Sequence, residues 1–151
     1  MASPIIFRFV NNDNGDLCFI IGIVISAFGI IFEALSDSPK NRSKKKNPDR
    51  FCDSGLYKIV RCPNYLGELI IWTGILISGF TTLHGIGQWT VSIIGYIGIV
   101  YIMFSGARRL ELRQDRTYGN NIEYKNYIKT TPILISLIPL YSVKKYKWLV
   151  G

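Results

Sequence analysis

The chain has 151 residues, 48% of them apolar, and it carries a formal net charge of +8. This length allows at most one domain. A soluble domain seldom combines so much apolar sequence with so much charge, and here the two properties occupy separate stretches. We therefore predict an all-α integral membrane protein, formed by residues 1–151 as a single membrane domain.

Three apolar runs predict the transmembrane helices. In chain order they are Leu17–Leu35, Leu66–Leu83 and Trp89–Ala107. A helix of roughly 20 apolar residues crosses the ~30 Å hydrocarbon core of a bilayer. Ile20–Ile31 also lacks the polar face that a helix of a soluble bundle would carry. Since an acidic stretch, Asn11–Asp16, precedes the first run, we expect this run to be retained and not cleaved as a signal peptide.

The basic residues predict the orientation in the membrane. Lysine and arginine are concentrated in residues 36–65 and 108–130, whereas His84–Gln88 has neither and the N-terminal arm has only Arg8. The positive-inside rule places both basic loops and the C-terminus in the cytosol, with the N-terminus on the opposite side of a multi-pass protein. Such loops also suit contacts with anionic membrane lipid. Within the first loop, Asn41–Arg50 is predicted to be a flexible, solvated tether.

The segment after the second basic loop, Thr131–Val143, is apolar but too short for an ordinary span. Pro132 and Pro139 interrupt it. It is followed by lysines and aromatic residues, which suit the head-group boundary. We predict an interfacial or re-entrant segment.

The cysteines predict neither a disulfide framework nor a metal site. Cys18, Cys52 and Cys62 are an odd number without the spacing of metal ligands. The single histidine, His84, falls in the short turn on the non-cytosolic side. We expect reduced thiols, no bound metal and a structural or solvent-exposed histidine.

Four polar residues crowd together just before the second apolar run, namely Arg61, Asn64, Tyr65 and Glu68. Polar groups so close to hydrocarbon are costly unless they are shielded or used. Pro63 can open a helix at its first turn, where unpaired backbone amides attract anions. An arginine, an amide and a carboxylate could there bind phosphate, ribose hydroxyls and a carboxamide. A capped helix with an interfacial tyrosine would explain the same residues.

The run from Arg61 to Glu68 resembles the Arg-His-Pro-Asn-Tyr-(Phe/Leu)-Gly-Glu signature of the steroid 5α-reductase C-terminal-domain family. Other blocks of the family are similar in the same order and cover about residues 32 to 132. They are Phe32-Glu33 with Asp37, Phe51–Tyr57, Arg109-Leu110-Glu111, Tyr118-Gly119, and Tyr124 with Tyr127 and Pro132.

The resemblance implies a membrane reductase with an NADPH pocket that opens to the cytosol. Matched onto this sequence, the implied cofactor-binding residues are Asp37, Arg61, Asn64, Tyr65, Glu68, Arg109 and Tyr127. Of these, the arginines would bind phosphates, Asn64 and Glu68 the ribose or carboxamide, and the tyrosines would pack on the cofactor. Lys40 is a further candidate for a phosphate contact, and Glu111 and Tyr118 are weaker candidates. No catalytic residue is identified.

Two departures from the family pattern matter. Cys62 stands where the family usually has histidine, and a thiol cannot carry positive charge. Family members also have several spans before the signature, whereas this chain has about one. We therefore expect a second copy or a partner subunit to complete the substrate cavity.

The leading hypothesis is NADPH-dependent reduction of a C=C bond in a lipid or steroid-like enone. The second is an S-adenosylmethionine-dependent membrane methyltransferase of the isoprenylcysteine type, since that class shares an Arg-His-Pro-x-Tyr element. The third is a family remnant without catalysis. No nucleic-acid partner is expected.

Overall fold

The computed structural model describes residues 1–11 and 14–150, without the side chains of residues 44 and 46. The described residues form five α-helices and one 3₁₀ turn, and no strand occurs among them, which confirms the all-α class for this part of the chain. The helices are α1 (Ser3–Val10), α2 (Leu17–Lys46), α3 (Pro63–Ser78), α4 (Gly85–Tyr118) and α5 (Ile122–Thr130), and the 3₁₀ turn is Gly55–Lys58.

Two helices of the described chain are long and apolar enough to cross a membrane. They contain the segments Leu17–Ser43 and Gly85–Tyr118, and only 11% and 33% of their most apolar windows are buried. The core helix of a soluble bundle would be mostly buried, so this exposure fits lipid contact. The helix of the second predicted span, α3, has 16 residues. This length is below the ~20 residues of an ordinary span, so the three-span count stays a prediction.

Two helices continue beyond the apolar runs that predicted them. The first was predicted to end at Leu35 but reaches Lys46, so Asn41–Lys46 is helical and the prediction of a flexible tether is wrong there. The third was predicted over Trp89–Ala107 but occupies Gly85–Tyr118. Lysine, arginine, glutamate and glutamine are good helix formers. A charged segment therefore ends the hydrophobic run without ending the helix.

The chain divides into two compact units. The first unit consists of Met1–Ile31 and Gly67–Ile102, and the second of Phe32–Leu66 and Met103–Gly151. Helices α2, α3 and α4 each contribute residues to both units.

In the first unit, small residues allow α2 and α3 to approach closely. A Cβ atom at Gly22 would collide with the carbonyl of Gly74, and one at Gly29 would lie 2.7 Å from the amide of Ile71. Ser26 donates a hydrogen bond of 3.0 Å to the Ile71 carbonyl. Glycine and serine at helix contacts are typical of membrane helices, which gain little from hydrophobic burial against each other.

A buried arginine fixes α1 to the same unit. Arg8 is 4% exposed, donates to the Ser78 carbonyl at 3.0 Å and pairs with Asp16 at 3.1 Å. Asp16 in turn caps α2, since it accepts from the Phe19 amide at 2.8 Å. Hydrogen bonds from Thr81 and the Phe19 amide hold the pKa of Asp16 below its usual value. The N-terminal arm is thus bound to the unit by a charged network.

In the second unit, the C-terminal residues form turns that pack against the protein. Ile133, Leu134 and Val143 are at most 1% exposed, whereas Leu137 is 93% exposed. The predicted interfacial segment, Thr131–Val143, thus supplies core side chains at both ends and one exposed apolar bend. Its placement at a membrane surface stays a prediction.

Candidate functional site

The polar signature begins at a backbone junction with the C-terminal segment. The amides of Arg61 and Cys62 donate to the carbonyls of Pro132 and Ile133 at 2.9 and 3.0 Å. Pro63 is the first residue of α3, as its missing amide hydrogen and fixed φ predict. These bonds hold the entry into α3, so the side chains of the next turn have a fixed starting direction.

Arg61 is buried in an ion pair instead of facing solvent. Its side chain and that of Glu111 are each 1% exposed, with Nη2 of Arg61 2.8 Å from Oε1 of Glu111. The same nitrogen donates to the Tyr141 carbonyl, and Glu111 accepts from the Val143 amide at 2.9 Å. Nε and Nη1 of Arg61 are closed off from solvent and have no hydrogen-bond partner among the described residues. In this arrangement Arg61 joins α3, α4 and the C-terminal segment, and its predicted phosphate contact has no supporting geometry.

A cleft of about 340 Å³ lies beside this junction, within the second unit. We call it the α4 cleft. It is lined by Lys40, Phe51, Cys52, Tyr57, Asn64, Tyr65, Leu110, Arg113, Gln114, Thr117 and Tyr118. Its volume is at the lower end of the roughly 300–1,000 Å³ typical of small-molecule sites.

One face of α4 supplies nearly half of this lining. Leu110, Arg113, Gln114, Thr117 and Tyr118 occupy positions i, i+3, i+4, i+7 and i+8, which places them on one side of a helix. Tyr65 of α3 packs against this helix, because a Cβ atom at Gly106 would lie 3.1 Å from the Tyr65 ring. The glycine therefore leaves the room that the Tyr65 ring occupies.

Phe51 anchors an aromatic cluster at the wall of the α4 cleft. The ring of Tyr127 stacks on it at a centroid distance of 5.3 Å, and Tyr124 and Tyr118 approach it at 5.4 and 6.0 Å. The Tyr127 hydroxyl donates to the Tyr57 carbonyl at 2.7 Å. The Tyr124 hydroxyl donates to Asp115 at 2.9 Å. Ring contacts and these two hydrogen bonds favour a rigid wall.

Burial raises the pKa of three tyrosine hydroxyls and one thiol around this cluster. It is the main cause of the raised pKa of the Tyr57, Tyr124 and Tyr127 hydroxyls, and it raises the pKa of the Cys62 thiol to about 12. At neutral pH these groups are therefore neutral hydrogen-bond donors. In the described part of the chain, no group of three or more histidine, cysteine, aspartate or glutamate side chains could hold a metal ion.

The structure brings together only part of the predicted set. Asn64 and Tyr65 line the α4 cleft, as does Lys40, whereas Tyr127 supports its wall through Phe51. Asp37 and Arg109 are exposed, Glu68 is half-buried on α3, and none of these three lines the cleft.

Sequence reasoning missed Arg113, Gln114 and Thr117. Their spacing would have placed them on one helix face, but the helix had been predicted to end at Ala107. Once α4 is continued, the same periodicity identifies the face.

The lining of the α4 cleft favours an anionic ligand with a flat ring. Lys40 and Arg113 are cations, Asn64 and Gln114 carry amides, and the walls contain aromatic rings, while no lining residue is a carboxylate. Arginine binds phosphate with paired hydrogen bonds, and aromatic side chains pack on flat rings.

The comparisons with known proteins agree with the resemblance read from the motifs. The chain is 29% identical to the steroid 5-alpha-reductase DET2 of Arabidopsis thaliana over 89 residues, which are 58% of this chain and 29% of that protein. The chain thus matches less than a third of the length of that relative, and no solved structure matches it significantly. The resemblance to steroid 5α-reductases is confirmed. A family model matches residues 1–131, and the chain belongs to the family described as "Protein of unknown function (DUF1295)".

Proposed function

We propose that the chain binds NADPH in the α4 cleft and acts in a membrane-embedded reductase of a C=C bond in a lipid or steroid-like enone. The observation that carries this proposal is the meeting of Asn64 and Tyr65, from the signature, with Lys40 and Arg113 in one cleft. The similarity to a steroid 5-alpha-reductase supports the reaction class.

The cleft residues fit a dinucleotide by their chemistry. Lys40 and Arg113 would hold phosphate oxygens, Asn64 and Gln114 can both donate to and accept from ribose or carboxamide groups, and the Tyr65 and Tyr118 rings would flank a planar ring. When bound, NADPH supplies a hydride. The protein's part is to orient the cofactor and to keep water from it, which a rigid aromatic wall favours.

The lipid substrate, and the second copy or partner subunit that would complete its cavity, stay predictions. Neither is needed to test the cofactor site, because binding of NADPH can be measured without turnover.

The first experiment is calorimetry of the detergent-purified chain with NADPH and with S-adenosylmethionine. Asn64→Ala should weaken NADPH binding by roughly 2- to 10-fold, the equivalent of one hydrogen bond. Asn126→Ala is the matched control, because Asn126 is an exposed residue of α5 outside the cleft. Binding of S-adenosylmethionine alone would favour the methyltransferase alternative. A folded chain that binds neither ligand would favour the remnant.

A chemical probe gives an independent readout. Cys52 is half-buried in the lining of the α4 cleft, whereas Cys62 is buried with a pKa near 12 and should not react. In a Cys18→Ser chain, NADPH should slow the alkylation of Cys52. An unchanged alkylation rate at saturating NADPH would place the cofactor elsewhere.

A further inference from the structure

A second cleft of the second unit has a different lining. It measures about 470 Å³ and is formed by the C-terminal turns of α2, the loop that follows and the first residue of the 3₁₀ turn. We call it the serine cleft. Its lining residues are Ser38, Pro39, Arg42, Ser43, Asn47, Arg50, Ser54 and Gly55.

The serine cleft has the donors of a phosphate site and lacks the walls of a nucleotide site. Three hydroxyls, one amide and two guanidinium groups line it, and none of its lining residues is aromatic or acidic. The α4 cleft, in contrast, contains four aromatic side chains. Hydroxyl, amide and guanidinium groups together suit an anion with several oxygen acceptors. A flat base would find no stacking partner here.

The two arginines contribute differently. Arg50 forms ion pairs with Asp53 at 2.9 Å and with Glu123 at 3.3 Å. Its hydrogen bond to Asp53 is the main cause of its raised pKa. Arg42 is exposed and forms no ion pair with any other residue that the structure describes. Arg42 therefore brings an uncompensated positive charge to the cleft, while Arg50 is held in place by carboxylates.

The position along α2 suits a lipid head group. The apolar run of α2 ends at Leu35, and a helix rises ~1.5 Å per residue, so the Cα atoms of Ser38 and Arg42 lie about 4.5 and 10 Å further along the axis. The polar layer of a bilayer is about 5–8 Å thick on each side of the hydrocarbon core. If α2 spans the membrane, Ser38 lies within this layer and the Arg42 side chain can reach back into it.

We propose that the serine cleft binds a phosphate group, and that its source is the head group of an anionic membrane lipid. Arg42 supplies the charge, and Ser38, Ser43 and Asn47 supply the neutral donors around it. This site is separate from the α4 cleft and does not depend on the reductase proposal.

The test measures retention of short-chain phosphatidic acid by the detergent-purified chain in native mass spectrometry, with short-chain phosphatidylcholine and inorganic phosphate as the comparison ligands. Arg42→Gln should lower the retention of phosphatidic acid roughly tenfold or more, as expected for the loss of a charge-assisted hydrogen bond. Lys45→Gln is the matched control, because Lys45 is an exposed cation of the same helix that does not line the cleft. It should change retention less than about twofold, the scale of one exposed charge contact.

A second variant separates a built site from general charge attraction. The double variant Ser38→Ala with Ser43→Ala keeps the net charge and should still lower the retention of phosphatidic acid. Equal losses in Arg42→Gln and Lys45→Gln, or full retention by the double serine variant, would overturn the proposal, as would equal retention of phosphatidylcholine by the wild-type chain. Displacement of the lipid by millimolar inorganic phosphate would support the phosphate site but assign it to a soluble ligand.

Discussion

Replacing Glu111 with glutamine removes the negative charge that faces Arg61 and nearly preserves the shape of the side chain. Both side chains of this pair are 1% exposed, and the carboxylate also accepts from the Val143 amide. Removing one partner of a buried pair leaves the other charge uncompensated, which costs about 3–5 kcal/mol. For a chain of this length 1 kcal/mol shifts the melting temperature by about 2–4 °C. We expect Glu111→Gln to lower the melting temperature by on the order of 6–20 °C.

The assay is thermal unfolding of the detergent-purified variants, followed by circular dichroism. Glu123→Gln is the matched control, because Glu123 pairs with Arg50 at a site where the side chains are 60% and 42% exposed. An exposed pair contributes less than about 1 kcal/mol. If Glu111→Gln melted no lower than Glu123→Gln, the pair would not stabilise the fold and the structural reasoning would be refuted.

The double variant Arg61→Met with Glu111→Leu tests the cause of the loss. It removes both charges and fills the site with apolar side chains, so it should be more stable than Glu111→Gln. If Arg61 instead bound a cofactor phosphate, Arg61→Met would weaken NADPH binding without lowering the melting temperature. The two roles of Arg61 therefore give different results in binding and in stability.

Three further measurements test other parts of the structure. The pKa values of Cys62 and three tyrosines are raised, so their contribution to the free energy of unfolding should be fully present below about pH 9 and should be lost as the pH rises toward 12. Helicity and tyrosinate absorbance should change together. The tyrosines are Tyr57, Tyr124 and Tyr127. Gly22→Ala should destabilise the chain by about 1–3 kcal/mol, because its Cβ atom would collide with α3. Gly98→Ala, which meets nothing within 4 Å, should melt no lower than the wild-type chain. Tyr127→Phe removes the hydrogen bond to the Tyr57 carbonyl and should cost about 1 kcal/mol in thermal unfolding.

A local signal predicted one helix start, whereas hydropathy misplaced other bounds. Pro63 opens α3, as its fixed φ predicts. The apolar runs placed the end of α3 at Leu83 and the start of α4 at Trp89, but α3 ends at Ser78 and α4 begins at Gly85. The ends at Lys46 and Tyr118 were missed, because the drop in hydropathy was taken as the end of the helix. Hydropathy reports which part of a helix suits hydrocarbon. It does not report where backbone hydrogen bonding stops.

The positions of the predicted site residues depend on both near and distant parts of the chain. Asn64 and Tyr65 lie just after the start of α3, which the sequence indicates, and they line the α4 cleft. The environment of Arg61 depends on Glu111, fifty positions later along the chain, and on the Tyr141 carbonyl. A motif shows that an arginine is present but not which partner it meets in the fold. The burial of Arg61 could therefore be found only from the structure.

Arg109 and Arg113 lie one helical turn apart on α4, and the comparison between them tests the site most sharply. Successive residues of a helix turn by ~100°. Four residues turn by ~400°, so Arg109 lies only ~40° from Arg113 around the helix but ~6 Å from it along the axis. Arg109 is exposed and does not line the cleft, whereas Arg113 does. The sequence resemblance favoured Arg109 as the phosphate ligand, whereas the cleft favours Arg113. One charge-assisted hydrogen bond contributes about 1.5–3 kcal/mol.

We expect Arg113→Gln to weaken NADPH binding roughly 10- to 100-fold in calorimetry, since each 1.4 kcal/mol is a factor of ten. Arg109→Gln removes the same charge from the same helix, so it controls for the change in net charge. Because Arg109 does not line the cleft, this variant should have a much smaller effect on NADPH binding. Circular dichroism should show both variants folded, because neither side chain is buried. If Arg109→Gln alone weakened binding, the motif would have identified the ligand correctly. The cofactor would then lie about one turn of α4 before the cleft.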